Sequence, residues 1–237
     1  MRTHSLRARY GRLPNLIIIG AQKCATTSLH YYLGLHPQVA MSREKELNFF
    51  LLERNWQNGI DWYKGQFRVG GSVCGEASPA YTYYPFYKGV PERMHEIIPR
   101  AKLIYALRDP IDRVVASYVH NVARGKECRP IAEALVDLEA NRYVCPSKYS
   151  MQLERYLPYY DWSQILILTT EELSRHRRHV LQRAFRFLDI EDSFATLRFY
   201  RIKHPSSMKR RLTAWGRRRA RTRLMRGVDR WPFDVRE

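Results

Sequence analysis

The chain of 237 residues carries 41 Lys+Arg against 23 Asp+Glu, a formal charge of +18 at pH 7, with 45% hydrophobic and 13% aromatic residues. That composition excludes collagen, low-complexity disorder and coiled coil, and the length suits one large domain that buries a core without disulfide staples. No apolar run approaches the roughly 20 residues of a membrane span, and the polar, basic start (Met1, Arg2, Thr3, His4) lacks the apolar stretch of a secretory signal, so a cytoplasmic chain, or one held peripherally at a membrane, is expected.

Asn15-Leu16-Ile17-Ile18-Ile19, closed by Gly20, reads as a buried parallel strand. Thr26-Thr27-Ser28 then opens an amphipathic helix to about residue 35, where His36-Pro37 stops it. Residues 72–74 predict a short strand that breaks into the loop Gly75-Glu76-Ala77-Ser78-Pro79, and residues 91–98 a helix with proline in its first turn. Lys102-Leu103-Ile104-Tyr105-Ala106-Leu107 is a second buried strand and residues 111–122 a second long helix. Helical patterns follow at 131–141 and 147–160, a third strand at 164–168 and a helix at 178–188. Strands alternating with helices predict an α/β fold, three layers (α/β/α) around a central parallel sheet. The domain is expected to fill residues 1–192, with 193–237 a basic C-terminal segment packing on it or extending from it.

Residues 201–226 contain no acidic side chain and many arginines. Such a stretch reads either as a solvated face or as a surface for an anionic membrane or polyanion. Without a helix-turn-helix, RNP or finger signature, no specific nucleic acid is expected. Cys24, Cys74, Cys128 and Cys145 lack metal-ligand spacing, so reduced thiols and no zinc are expected.

The chemistry concentrates where strands meet helices. Between the strand ending at Gly20 and the helix starting near Thr26 lie Gln22, Lys23, Cys24 and Ala25, followed by the hydroxyls of Thr26, Thr27 and Ser28. Small residues let the backbone approach a phosphate, helix amides point at it, and Lys23 adds a point charge. The lysine precedes the Thr pair, so this is not the Gly-Lys-Ser/Thr loop of nucleotide hydrolases, whose hydroxyl holds Mg²⁺. An ordinary strand-to-helix turn with hydroxyl caps has the same outline. The second turn, Leu107-Arg108-Asp109-Pro110-Ile111-Asp112-Arg113 through Ser117, places Arg108 at a strand's carboxyl end, where open α/β sheets bind ligands. Ser117 lies nine residues on in the following helix. If that helix packs back on the first loop, Arg108 and Ser117 can grip one phosphate; Arg113 reads better as a core-bridging or exposed arginine.

Taken together, these motifs resemble those of sulfotransferases that use 3′-phosphoadenosine 5′-phosphosulfate (PAPS). The segment Gly20-Ala21-Gln22-Lys23-Cys24-Ala25-Thr26-Thr27-Ser28-Leu29 is similar to the family's 5′-phosphosulfate loop, and Arg108 to Ser117 to its 3′-phosphate segment. Lys45-Glu46-Leu47-Asn48-Phe49-Phe50 resembles the Lys-Glu-Leu-His-Phe-Phe segment of the heparan-sulfate and bacterial branch. The resemblance implies the P-loop-like sulfotransferase fold and transfer of a sulfuryl group from PAPS, without a metal, to a hydroxyl or amine of a carbohydrate, lipid or small metabolite. The product nucleotide is adenosine 3′,5′-bisphosphate (PAP). It implies that Lys23 contacts the phosphosulfate bridge and that Gln22, Cys24, Ala25, Thr26, Thr27 and Ser28 surround the 5′-phosphate. It also implies that Arg108 and Ser117 hold the 3′-phosphate and that Glu46 is the catalytic base. Lys203 and Arg210 fall where relatives close a loop over the donor. Glu76 is a second candidate base, or a group orienting the acceptor or Lys23; His36 is a third, though it reads as a helix-end cap, and Cys24 reads as a packing residue.

Three departures stand out: Ala77 where heparan-sulfate relatives carry lysine, Asn48 for histidine, and Cys24-Ala25 for loop glycines. Trp56, Trp62, Tyr63, Tyr81, Tyr83 and Tyr84 are candidates for an acceptor cleft, and equally for core. Two rival classes share parts of the pattern. A P-loop-type kinase or nucleotide-phosphate enzyme needs a Mg²⁺-holding acid, for which Asp109 is the candidate. A non-catalytic polyanion-binding protein would use the basic segment.

Overall fold

β1 (Leu16–Gly20) is the centre of the molecule because its run of Leu and Ile has no solvent-facing side: Leu16 to Ile19 are all 0% exposed. A computed structural model describes residues 11–68 and 70–200, with the backbone of 210–212 and 230–232. After β1 come α1 (Thr26–Leu33), β2 (Val39–Met41), α2 (Gly59–Lys64), β3 (Val73–Ala77), α3 (Val90–Ile97), β4 (Lys102–Leu107) and α4 (Pro110–Ala123). Then follow α5 (Ile131–Ala134), α6 (Tyr149–Leu153), β5 (Ile165–Thr169), α7 (Thr170–Arg175), α8 (Arg177–Phe187), β6 (Arg210–Leu212) and β7 (Arg230–Pro232).

The main sheet is parallel throughout, in the order β2-β3-β1-β4-β5, and β6 pairs antiparallel with β7. From β1 the chain builds β2 and β3 on one side, then crosses to build β4 and β5 on the other. That reversal opens a crevice beyond the carboxyl end of β1, the usual ligand position in such sheets. The β1–β4 register also shifts between Ile18 and Gly20, which leaves Ile19 out of the regular pairing while Gly20 pairs with Tyr105. Gly20 is required there by space: a Cβ would stand 2.0 Å from the Thr82 hydroxyl, and that hydroxyl donates to the Ile19 carbonyl at 3.2 Å.

The elements differ from the sequence reading in instructive places. The 131–141 helix shrinks to α5, because Asp137 Oδ1 accepts from the Glu139 and Ala140 amides and Asn141 donates to the Ala134 carbonyl. Short polar side chains outcompete helix bonds in this way. The 147–160 pattern is helical only over α6; Pro158 interrupts the rest, though Tyr156 and Tyr160 still reach the core. Beyond residue 192, Phe194 meets Phe199 and His36 edge-on, and Phe199 meets Tyr32 in the same way. Among the described residues, no helix is long and apolar enough to cross a membrane.

Candidate functional site

The loop leaving β1 folds back on itself in left-handed backbone, with φ of 72° at Lys23 and 56° at Ala25. A residue with a Cβ pays about 1–3 kcal/mol for this conformation, and it clusters where function demands a set backbone. The Cys24 amide donates to the Ala21 carbonyl at 3.2 Å and closes the turn, and left-handed residues of this kind are the backbone from which amide concavities for anions are built. The first turn of α1 adds amides that have no intrahelical acceptor. Cys24 is 0% exposed, and burial pushes its thiol up to about 11, so it packs and does not attack.

Side chains from distant elements join this loop to the second turn. Ser117, 1% exposed, donates to Gln22 Oε1 at 3.4 Å, and the Tyr83 hydroxyl donates to the same oxygen at 2.7 Å. Tyr149 donates to the Arg108 carbonyl at 2.8 Å while its oxygen lies 3.8 Å from Cys24 Sγ. Arg108 follows β4 directly, and its guanidinium is paired with Asp112 at 2.8 Å across one helical turn. Asp112 is exposed and Arg108 partly so, and solvent screening keeps that pair weak enough to give way to a stronger anion. Asp109, the acid that a Mg²⁺-dependent enzyme would need, is occupied as the N-cap of α4 and accepts from the Asp112 amide at 2.9 Å. Arg113 is fully buried and bridges α4 to the Ser147 hydroxyl and the Tyr143 carbonyl.

The third component is the segment after β2. Ser42 and Glu46 donate backbone amides to the Gly75 and Ala77 carbonyls at 2.7 and 2.9 Å, and the Asn48 amide donates to Ser78 Oγ at 2.9 Å. Phe49 lies flat on Tyr63 with centroids 4.2 Å apart. These ties hold the loop against the carboxyl end of β3, while Glu46 itself projects outward with its side chain 57% exposed and Lys45 paired to it at 2.8 Å. Glu46 takes a φ of 66°, another left-handed residue at the same end of the sheet.

Glu76 and His36 sit elsewhere in the chemistry. Glu76 is 0% exposed and accepts from the Tyr63, Ser78 and Tyr81 hydroxyls at 2.8, 2.6 and 2.8 Å; burial raises its carboxyl above the ordinary range even against those bonds. It therefore organises the Ser78–Asn48 anchor beneath Glu46 and does not face a ligand. His36, 3% exposed, accepts from the Gln38 amide at Nδ1 and donates through Nε2 to the Glu191 carbonyl. Of the aromatic candidates, Tyr63 and Tyr81 are core, Trp56 and Trp62 pack against it, and Tyr83 reaches the loop. Lys203 lies outside the described residues, as do the side chain of Arg210 and the side chains of the Arg-rich stretch.

One neighbour was not read from sequence. Burial, reinforced by the Lys45 ammonium, lowers His30 from 6.5 to about 4. Between those pH values the unfolded chain binds a proton that the folded chain refuses, so stability should be lost as pH falls through that window. Urea midpoints measured from pH 7 to 4 should decline, and His30→Gln should flatten the slope. An unchanged slope in that variant would place the acid sensitivity elsewhere.

The family model described as "Sulfotransferase domain" matches residues 13–209. The human bifunctional heparan sulfate N-deacetylase/N-sulfotransferase 2 is 33% identical over 201 residues, covering 76% of this chain and 22% of that protein. The Drosophila melanogaster bifunctional heparan sulfate N-deacetylase/N-sulfotransferase is 30% identical over 211 residues, 76% of this chain and 20% of its own length. The chain thus spans about a fifth of the length of the curated relatives it matches. Among solved structures, the sulfotransferase from Alicyclobacillus acidocaldarius superposes with a TM-score of 0.71 at 29% identity, covering 82% of this chain and 87% of that one. A mouse sulfotransferase complexed with PAP shares the fold at a TM-score of 0.51 and 14% identity, over 79% of this chain and 62% of its own.

Proposed function

The chain belongs to the sulfotransferase domain family, and on that premise we propose that its transfer centre lies where the 20–28 loop, Arg108 and the Glu46 loop converge. The observation that carries this reading is the Ser117–Gln22 contact at 3.4 Å, which brings two motifs 95 residues apart to one crevice. The donor we propose is PAPS, which when bound supplies an activated sulfuryl group. The left-handed backbone at Lys23 and Ala25 fits it, because such a concavity suits a phosphate that carries no metal.

In this reading the amides around Cys24 and Ala25 and the first turn of α1, with Thr26, Thr27 and Ser28, hold the 5′-phosphate. Lys23 neutralises charge as it develops on that phosphate. Arg108 exchanges Asp112 for the 3′-phosphate, and Ser117, whose hydroxyl otherwise donates to Gln22, joins it there. Glu46 removes the acceptor's proton. The curated relatives' names specify N-sulfotransferases of heparan sulfate, and we propose likewise a carbohydrate acceptor offering an amine or hydroxyl.

Thermal melts test the donor class. PAP without Mg²⁺ should stabilise the chain, and ATP with Mg²⁺ far less, since only a ligand of the folded state raises stability. Equal shifts would favour the kinase-like alternative. Arg108→Ala should weaken PAP by about 2 kcal/mol, roughly thirtyfold in Kd, the scale of a hydrogen bond to a charged group. An unaltered Kd by calorimetry would remove Arg108 from the phosphate.

A further inference from the structure

Arg113 is the largest fully buried side chain among the described residues, 0% exposed on the inward face of α4. A guanidinium stays charged in any protein setting. Two of its nitrogens meet neutral groups, Nε donating to the Ser147 hydroxyl and Nη2 to the Tyr143 carbonyl, while Nη1 has no hydrogen-bond partner. No salt bridge among the described residues includes it. Arginine is almost never buried whole without an acid beside it, because a charge taken out of water and left unpaired destabilises the fold. Two bonds to neutral oxygens do not call for a permanent charge.

The neighbours of this cation belong to the donor crevice. Ser117 follows one helical turn later on the same face of α4, 1% exposed, and its hydroxyl donates to Gln22 Oε1 at 3.4 Å. Tyr83 donates to the same oxygen at 2.7 Å. Burial raises the Tyr83 hydroxyl, and Arg113 is the strongest of the groups that pull it back. At Cys24, in the middle of the loop, burial again dominates, and Tyr149 and then Arg113 oppose it. The hydroxyls of Ser117 and Tyr83 thus join a fixed positive charge to the loop at Gln22. Solvent screens a charge at this depth only weakly.

We propose that Arg113 is the buried counter-charge of the donor, a positioning residue that acts through Ser117, Tyr83 and Gln22 and favours ligands carrying several negative charges. The proposal rests on the transfer-centre reading and adds to it a cation that touches no ligand atom. Without an anion in the crevice the guanidinium has no counter-ion; with a nucleotide bisphosphate it has one. Removing the charge should therefore weaken binding without weakening the ligand-free fold. An arginine kept only for its bonds to Ser147 and Tyr143 would move both downward together.

Three variants of the full chain test this by calorimetry with PAP and by ligand-free thermal melts. Arg113→Gln removes the charge and keeps an amide donor; it should bind PAP at least about tenfold more weakly while melting no lower than the native chain. Arg113→Lys keeps the charge and loses the fork, so its PAP affinity should stand nearer the native value than that of the glutamine variant. Gln22→Glu leaves Arg113 in place and supplies a carboxylate at the oxygen that Ser117 and Tyr83 already hold. Without ligand it should melt about 2–4 °C above the native chain, and the gain should vanish when Arg113→Gln is added. Native PAP affinity in Arg113→Gln would overturn the proposal, as would a joint fall of affinity and melting temperature that lysine does not repair. So would a Gln22→Glu variant that melts below the native chain, and this arm decides alone if Arg113→Gln does not fold. Failure of PAP to bind the native chain would instead strike the transfer-centre reading, with the ligand-free melts of Gln22→Glu still reporting whether Arg113 lacks a counter-ion.

Discussion

Lys23→Ala is expected to slow sulfuryl transfer by about 10²–10³-fold while leaving PAP affinity much less changed, the scale for removing one preorganised partner of a developing anion. The reasoning is differential. In the ground state the donor's phosphate shares its charge with the sulfuryl group, and as the bond to sulfur breaks the charge collects on the departing phosphate. A cation fixed beside that oxygen is worth more at the transition state than before or after it, so kcat carries the loss. Backbone and charge are separable at this residue because Lys23 has a φ of 72°. Lys23→Gly relieves the left-handed strain, so it should fold at least as stably as the native chain and be as slow as the alanine variant. Single-turnover rates beside thermal melts read both. A glycine variant that retained turnover would show that the loop backbone, not the ammonium, stabilises the leaving group.

The parts of the fold and site that can be read from sequence are those whose cause is local. β1 and β4 announce themselves as uninterrupted apolar runs, and the runs end within a residue of the observed strands. The loop at 20–28 is legible because strand, turn and cap follow one another in sequence. β2, at three residues, has no pattern of its own; it exists because the chain pairs Val39 with Val73 across the sheet. α7 has only the capping box of Thr169 and Glu172 to announce it, a signal four residues long that competes poorly with the strand just before it. Tyr83 and Tyr149 could not be found in this way. They reach Gln22 and Arg108 from 61 and 41 residues away, and a tyrosine in a loop reads alike whether it fills a core or props a binding turn. Glu76 reads in sequence as a candidate base or as a group orienting the acceptor or Lys23; the three hydroxyls it accepts from, on Tyr63, Ser78 and Tyr81, form a buried scaffold that no local pattern displays.

That scaffolding sharpens the second large effect. Glu46→Gln is expected to lower transfer by about 10²–10⁴-fold, the range for a positioned general base, with PAP binding preserved. The substitution keeps size and leaves the loop's ties in place, since the Glu46 amide bonds the Ala77 carbonyl and the Asn48 amide bonds Ser78 through backbone. What it removes is the proton acceptor, along with the pairing to Lys45 at 2.8 Å. Lys45→Met separates these two losses. It leaves the carboxylate while deleting its cation, so if the base alone matters, this variant should keep most of the rate that Glu46→Gln loses. Both belong beside Ser78→Ala, which cuts the link between Glu76 and the Asn48 amide. If Glu46 acts from a held position, Ser78→Ala should lower kcat with little change in PAP affinity, and melting curves will separate that from simple unfolding. Should Glu46→Gln retain the native rate under single-turnover conditions, proton removal must fall to another group, and neither Glu76 at 0% exposure nor His36 at 3% is placed to take it.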